Sequence, residues 1–185
     1  FIGCSSAGVA MAKTDSFFIR KTVNINDDLA FYQDTIDLGA YVDALGKSVL
    51  RIHNIAVQFS DSTGRTPSIT GSSNGTSCSA DFQLTTQTQT DMVLTGQNKS
   101  VVASGRLTAY THATGATGFP SVVSADLDVG PQHWTNGYLI GVEQLYLGGA
   151  ATTGWAEEIY VSLIMECTSE TLTKEAAMAL ALSQQ

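Results

Sequence analysis

Residues Ser48–Ser60, SVLRIHNIAVQFS, form the clearest strand pattern in this sequence of 185 residues. Successive side chains of a β-strand point to opposite faces of a sheet, so an apolar residue at every second position indicates a half-buried strand. In this stretch the apolar set changes face near Asn54. Such a change predicts either a β-bulge or a strand that crosses between two sheets.

Shorter runs of the same kind occur on both sides, separated by turns of Gly, Ser, Thr and Asn. They predict strands over Phe17–Ile25, Phe31–Val42, Ala80–Thr90, Met92–Leu94, Val101–His112, Val122–Val129, Tyr138–Leu147 and Glu157–Glu170. Surface loops are predicted over Asp61–Thr76, Thr114–Pro120 and Gly148–Gly154. No amphipathic helix separates these strands, as parallel βαβ units would require. The pattern predicts an all-β fold, an antiparallel β-sandwich arranged as an eight-stranded jelly roll.

The run Ala80–Thr90 has strand propensity, but its second half is almost wholly polar. A strand with so little apolar face is predicted at the edge of a sheet or against another subunit.

The two ends of the chain differ from the middle. Residues 1–12 have no charged side chain and are rich in Gly, Ser and Ala, which predicts a flexible N-terminal arm. The sandwich domain is predicted over 13–172. Residues 173–185 are predicted to form a short helical extension, with Thr173 as its N-cap. Met178 and Leu182 would form a narrow apolar stripe that contacts a neighbouring subunit, although the helix could equally fold back on its own sandwich.

Charge argues against contact with nucleic acid. The net charge is −8, only 14% of the residues are charged, and no cationic stripe is present. A protein that binds phosphates needs clustered Lys and Arg. Exposed surfaces usually have about 25–35% charged residues, so the low value suggests that neighbouring subunits cover part of the surface.

The residues that support catalysis or metal binding lack the spacing that either would need. Cys4, Cys78 and Cys167 form no CxxC pair, the three histidines form no HxH motif, and no GxSxG is present. Cys167 lies in an apolar run and is predicted to be buried, and free thiols fit a reducing compartment. We therefore predict no enzyme activity, no metal and no cofactor.

Aromatic residues near the Gly-rich loops are the better candidates for a functional surface. Trp134, Tyr138 and Trp155, together with Met178 and Leu182, are predicted to lie in subunit interfaces. Aromatic rings at the end of a sandwich can also stack on sugars. The alternative hypothesis is therefore a carbohydrate-binding or adhesive β-sandwich domain of a cell-surface or filament protein.

The segment Ser16–Thr171 resembles the small single-jelly-roll major capsid proteins of tailless icosahedral viruses, in particular those of archaea and bacteria that enclose a membrane. The similarity rests on the strands Phe17–Ile25, Ser48–Ser60 and Glu157–Thr168 and on the segment QDTIDLGAY at residues 33–41. It implies a structural protein of the virion that is assembled in the host cytoplasm into an icosahedral shell. Its implied partners are other copies of itself, other capsid proteins and the enclosed membrane, with no direct contact to nucleic acid. The resemblance transfers no functional residue.

Overall fold

The computed structural model describes residues 15–43, 47–71, 74–112, 120 and 122–185. The predicted N-terminal arm 1–12 and nearly all of the predicted loop Thr114–Pro120 lie outside these residues.

The described chain forms two antiparallel sheets that pack face to face. The strands are β1 Phe17–Asn26, β2 Tyr32–Asp37, β3 Ser48–Ser60, β4 Thr76–Thr85, β5 Val101–Thr111, β6 Val122–Val129, β7 Tyr138–Ile140, β8 Gln144–Ala151 and β9 Ile159–Thr171. A 3-10 turn, Pro131–His133, precedes β7, and the helix α1 spans Lys174–Ser183. One sheet has the order β1-β9-β3-β7 and the other has the order β2-β8-β4-β5-β6.

This strand order confirms the predicted jelly roll. From β1 to β4 and again from β6 to β9 the chain passes from one sheet to the other at every step, so that strands distant in sequence become neighbours. That is the double Greek-key connection of a jelly roll. The described residues contain nine strands, one more than an eight-stranded jelly roll, and β6, predicted with the same bounds, is an edge strand of the second sheet.

The predicted irregularity in β3 is a bulge. The pairing of β3 with β9 shifts register between Ile52 and Asn54. Ile52 and Ile55 are both buried although they are three positions apart. The extra residue brings both apolar halves of the strand onto the core side, so the strand stays within one sheet.

The prediction for Ala80–Thr90 was wrong in two ways. The strand β4 ends at Thr85, and it lies in the middle of its sheet between β8 and β5. The predicted strand Met92–Leu94 is instead a loop that covers the outer face of β4. The Gln83 side chain donates to the Val93 carbonyl (2.6 Å) and accepts from the Val93 amide (2.9 Å). These bonds satisfy a buried polar side chain in a central strand.

The predicted strand Tyr138–Leu147 is divided in two. β7 ends at Ile140 in one sheet and β8 begins at Gln144 in the other, so the chain changes sheets between these residues. Ile140 and Leu145, on either side of the change, are both buried in the core. The apolar side chains on both sides led to the prediction of one strand.

The predicted loop Gly148–Gly154 was also wrong at its start, because Gly148 and Gly149 belong to β8. A Cβ atom on Gly149 would lie 2.4 Å from the Asp81 carbonyl oxygen of the paired strand and 3.0 Å from Ile25 Cγ2 of the opposite sheet. Glycine is needed here for close packing within the sandwich, not for a turn.

The core fills the space between the sheets. Its largest fully buried side chains are Phe82, Ile25, Leu38, Leu50, Ile52, Ile69, Leu84, Ile140, Leu145, Leu147, Ile159 and Leu163. Cys167 is buried among them as predicted, and burial raises the pKa of its thiol to about 12. The thiol therefore stays protonated and unreactive at neutral pH.

The C-terminal helix packs on its own sandwich. Thr173 caps it as predicted, since its Oγ1 accepts from the Ala176 amide at 3.2 Å. Ala177 and Ala181 are the helix residues that are buried against the sandwich. The packing matches the alternative in which the helix folds back on the same chain, and only its outer side remains for contacts with a neighbour.

Candidate assembly surface

The predicted interface residues are found in three different environments. Trp134 follows the 3-10 turn and its side chain is 51% exposed, so it can contact another molecule. Met178 and Leu182 are exposed on the outer side of α1, opposite the buried alanines. These three residues remain candidates for contacts between subunits.

Trp155 does not belong to such a surface. It is only 3% exposed and packs within the hydrophobic core, while its indole Nε1 donates to the Ser79 carbonyl at 3.2 Å. Thr70 and Gly154 bond across the same corner, which ties the loop after β3 to the loop after β8. Trp155 is therefore a core residue, and the prediction that it lies in a subunit interface was wrong.

Tyr138 is half-buried at the start of β7 and packs against the core. Burial raises the pKa of its phenol. Trp134 is therefore the more accessible of these two aromatic residues.

The structure reveals a further surface along the edge of β3. β7 pairs only with Leu50–Ile52. Beyond it, the Gln132 side chain takes the place of a strand partner: its Oε1 accepts from the Ile55 amide (3.2 Å) and its Nε2 donates to the Ile55 carbonyl (3.0 Å). Residues two apart in a strand direct their backbone groups to the same side. Val57 and Phe59 therefore present N–H and C=O groups to this side, where no described strand pairs with them.

The edge strand β6 of the opposite sheet extends beyond the part of β3 that β7 covers. Val122 is 62% exposed and Val123 is 45% exposed. β7 has only three residues, and no described strand covers the inner face of β6. β6 is thus an edge strand with an apolar inner face, and both of its faces are exposed from Val122 to Asp126.

An apolar groove of about 450 Å³ runs between the two open edges. We call it the β3–β6 groove; it is lined by Ile55, Val57, Gln58, Phe59, Thr66, Pro67, Phe82, Leu107, Val123, Ala125, Asp126, Leu127 and Gln132. Asp126 is the one charged residue in this lining. The groove therefore suits an uncharged, extended occupant.

Sequence reasoning missed this groove. A signal was present in β6, where apolar and polar side chains alternate from Val123 to Asp128. Such alternation indicates one apolar face. It does not indicate that the facing sheet ends before covering that face, because β3 and β6 are more than sixty residues apart in sequence.

Ion pairs are found beside the groove, on the outer face of the same sheet. Arg106 of β5 contacts Asp128 of β6 at 2.9 Å, and the Asp128 carboxylate raises the pKa of the guanidinium. Desolvation raises the pKa of Asp81. Arg106 and Asp128 face away from the groove, and their ion pair links β5 to β6.

Within the described ranges no group of three or more His, Cys, Asp or Glu side chains could hold a metal ion. Across the same ranges, no helix is both long and apolar enough to cross a membrane.

Comparison with known proteins gives loose structural similarities, two of which are described here. No protein-family model matches the chain. No curated protein sequence matches it. Merkel cell polyomavirus VP1, solved in complex with GD1a oligosaccharide, is 10% identical with a TM-score of 0.37, over 88% of this chain and 98% of VP1. The tailspike protein gp49 from Acinetobacter baumannii bacteriophage Fri1, a capsular polysaccharide depolymerase, is 13% identical with a TM-score of 0.20, over 85% of this chain and 20% of the tailspike. Neither similarity is close enough to support a function.

Proposed function

We propose that this protein is a structural capsid subunit that assembles with copies of itself into an icosahedral shell. The observation that carries the proposal is the pair of open edges, β3 beyond Ile55 and β6 with both faces exposed. Monomeric proteins usually protect such edges with charges, prolines or covering loops, because an open strand pairs with other chains. Here the core-facing side chains at both open edges, among them Val57, Phe59 and Val123, are apolar, and a neighbouring subunit would cover them.

Other exposed apolar side chains are compatible with several contacts per subunit. Leu29 lies after β1, Leu94 lies in the loop that covers β4, and Leu182 lies on the outer side of α1. These positions belong to different parts of the sandwich. A closed shell requires contacts between unlike patches as well as contacts about symmetry axes, so separated patches fit a subunit that tiles.

The location and the partners that we propose follow from the role as a coat protein. The shell would belong to a virion, would be assembled in the host cytoplasm, and would contact other capsid proteins or an enclosed membrane. Direct contact with the genome is not expected, since the chain has a net charge of −8.

The test is to purify the full chain and to examine it by negative-stain electron microscopy and analytical ultracentrifugation. We expect uniform shells or rings and a single fast-sedimenting species. A monodisperse monomer at every concentration and ionic strength tried would contradict the coat role.

One observation favours the second candidate function, a carbohydrate-binding domain. Trp134 is half-exposed beside the middle of β3, where its aromatic face can stack on a sugar ring. A glycan array with the wild type and Trp134→Ala would test it. Binding of a glycan by the wild type that the variant loses would favour this function, whereas no binding by either would exclude a role for Trp134 in sugar recognition.

A further inference from the structure

We propose that the β3–β6 groove binds the N-terminal segment, residues 1–12, of a neighbouring copy, which pairs with β3 as an additional strand. This inference rests on the proposed coat function and deepens it by naming the segment that links two subunits. It makes the groove an exchange site, so that each copy receives one segment and supplies another.

The geometry of the groove fits one extended strand. Adjacent strands lie about 4.8 Å apart, and the position beside β3 that β7 fills at Leu50–Ile52 is not filled by a described strand at Val57 and Phe59. An added strand would bond to these backbone groups. Its inward side chains would contact Leu107 and Leu127, which line the groove. Main-chain bonds provide affinity in this mode of recognition and the alternating side chains provide specificity.

The chemistry of residues 1–12 fits this position. The segment FIGCSSAGVAMA has no charged side chain, so the side-chain charges that make up the net −8 all lie outside it. Val9 and Met11 alternate with small residues, so an extended segment would have one apolar face and one small face. The segment brings no charged side chain into a groove whose lining is mainly apolar, so its own burial removes no charged group from water.

The position of β1 favours a segment from a neighbouring copy. β1 begins at Phe17 on the far edge of the same sheet, and its first residue is level with Cys167 and Ile52. The groove lies three strand positions from β1, roughly 14 Å across the sheet. Along the edge of β3 that faces the groove, β7 and the 3-10 turn fill the space between Ile52 and the groove. The chain's own segment would have to pass around both, whereas a segment from another copy would not.

A native thiol allows a direct test. Cys4 lies in the segment, whereas Cys78 and Cys167 are buried and therefore protected. Ala125 and Val123 line the groove, whereas Ser124 points to the opposite face of β6. The full-length variants Val123→Cys and Ala125→Cys are oxidised with diamide and run on a non-reducing gel, with Ser124→Cys as the matched control. Each is repeated with Cys4→Ser.

We expect covalent dimers and larger oligomers from at least one groove variant, at least tenfold more than from Ser124→Cys, and their loss with Cys4→Ser. Only monomer from both groove variants would overturn the inference. A faster-migrating monomer, which indicates a disulfide within one chain, would overturn the exchange between copies. Cross-links that persist with Cys4→Ser would join two groove cysteines of different copies, because Cys78 and Cys167 are buried, and would overturn the assignment of residues 1–12 as the occupant.

A second experiment measures assembly directly. Ala125→Glu places a charge in the groove and Ser124→Glu places the same charge on the opposite face of the same strand. We expect Ala125→Glu to raise the concentration needed for assembly at least tenfold, with the monomer melting temperature unchanged, and Ser124→Glu to assemble normally. Equal assembly by both variants would contradict the inference.

The two proposals fail in different ways. Shells without a cross-link to Cys4 would leave the coat function intact and overturn the exchange of segments. Cross-linked pairs that never form shells would support the exchange and contradict the coat function.

Discussion

At the scale of single residues, Gly149 shows how closely two strands and the opposite sheet approach. We predict that Gly149→Ala destabilises the protein by about 1–3 kcal/mol, because the added Cβ would lie 2.4 Å from a backbone oxygen of Asp81 that cannot move without disturbing the β4–β8 pairing. Urea unfolding measures the loss. Gly96→Ala is the control, since nothing lies within 4 Å of the added Cβ there, and it should be neutral or slightly stabilising. Equal effects at both glycines would contradict the packing role.

The ion pair between Arg51 and Glu170 also acts at this scale. Arg51 Nη2 donates to Glu170 Oε2 at 2.9 Å across the β3–β9 pairing, and the guanidinium lowers the pKa of Glu170 from its ordinary value of 4.5. A depressed carboxyl pKa contributes stability above the unfolded value, and that stability is lost as the pH falls through the folded value. We predict that Glu170→Gln costs about 1 kcal/mol near neutral pH, and that the difference disappears in acid. Chemical unfolding of both proteins across pH 2–7 measures it. A difference that is independent of pH would contradict the assignment to this ion pair.

At the scale of elements, Gln184 joins the helix α1 to the sandwich. Its side chain donates to the Leu139 carbonyl and accepts from the Gly141 amide, each at 2.7 Å, at the point where the chain leaves β7 for β8. Thr86 Oγ1 donates to the Gln184 carbonyl at 2.8 Å. We predict that Gln184→Ala lowers stability by about 1–3 kcal/mol, because two buried backbone groups lose their partners. Thermal unfolding compares it with Gln185→Ala, whose side chain is exposed and which should be neutral. Equal melting temperatures for the two variants would show that the helix is not held in this way.

At the scale of the whole molecule, the net charge of −8 governs encounters with other polymers. We predict negligible binding to DNA or RNA at physiological salt, because phosphate binding requires clustered cations. A filter-binding assay over a range of salt concentrations measures it. A sub-micromolar affinity with a steep dependence on salt would contradict this prediction and the proposed separation of the shell from the genome.

Features that depend on neighbouring residues could be predicted from the sequence. Alternation predicted most strands, and Thr173 predicted the start of α1. The change of apolar face near Asn54 predicted either a bulge or a strand that crosses between sheets, and the structure has the bulge. The absence of intervening amphipathic helices predicted an antiparallel sandwich. These features follow from local sterics and from the two-residue period of a strand, which one segment contains in full.

Features that depend on which segments meet appear only in the folded chain. The predicted strand Tyr138–Leu147 divides because its halves join different sheets, and position 149 needs a glycine because Asp81 and Ile25 lie close to it. Trp155 is buried because a corner of the sandwich closes over it. The β3–β6 groove exists because one sheet ends where the other continues. Each is set by pairing between segments far apart in sequence, and the periodicity of a single segment contains no information about its partner.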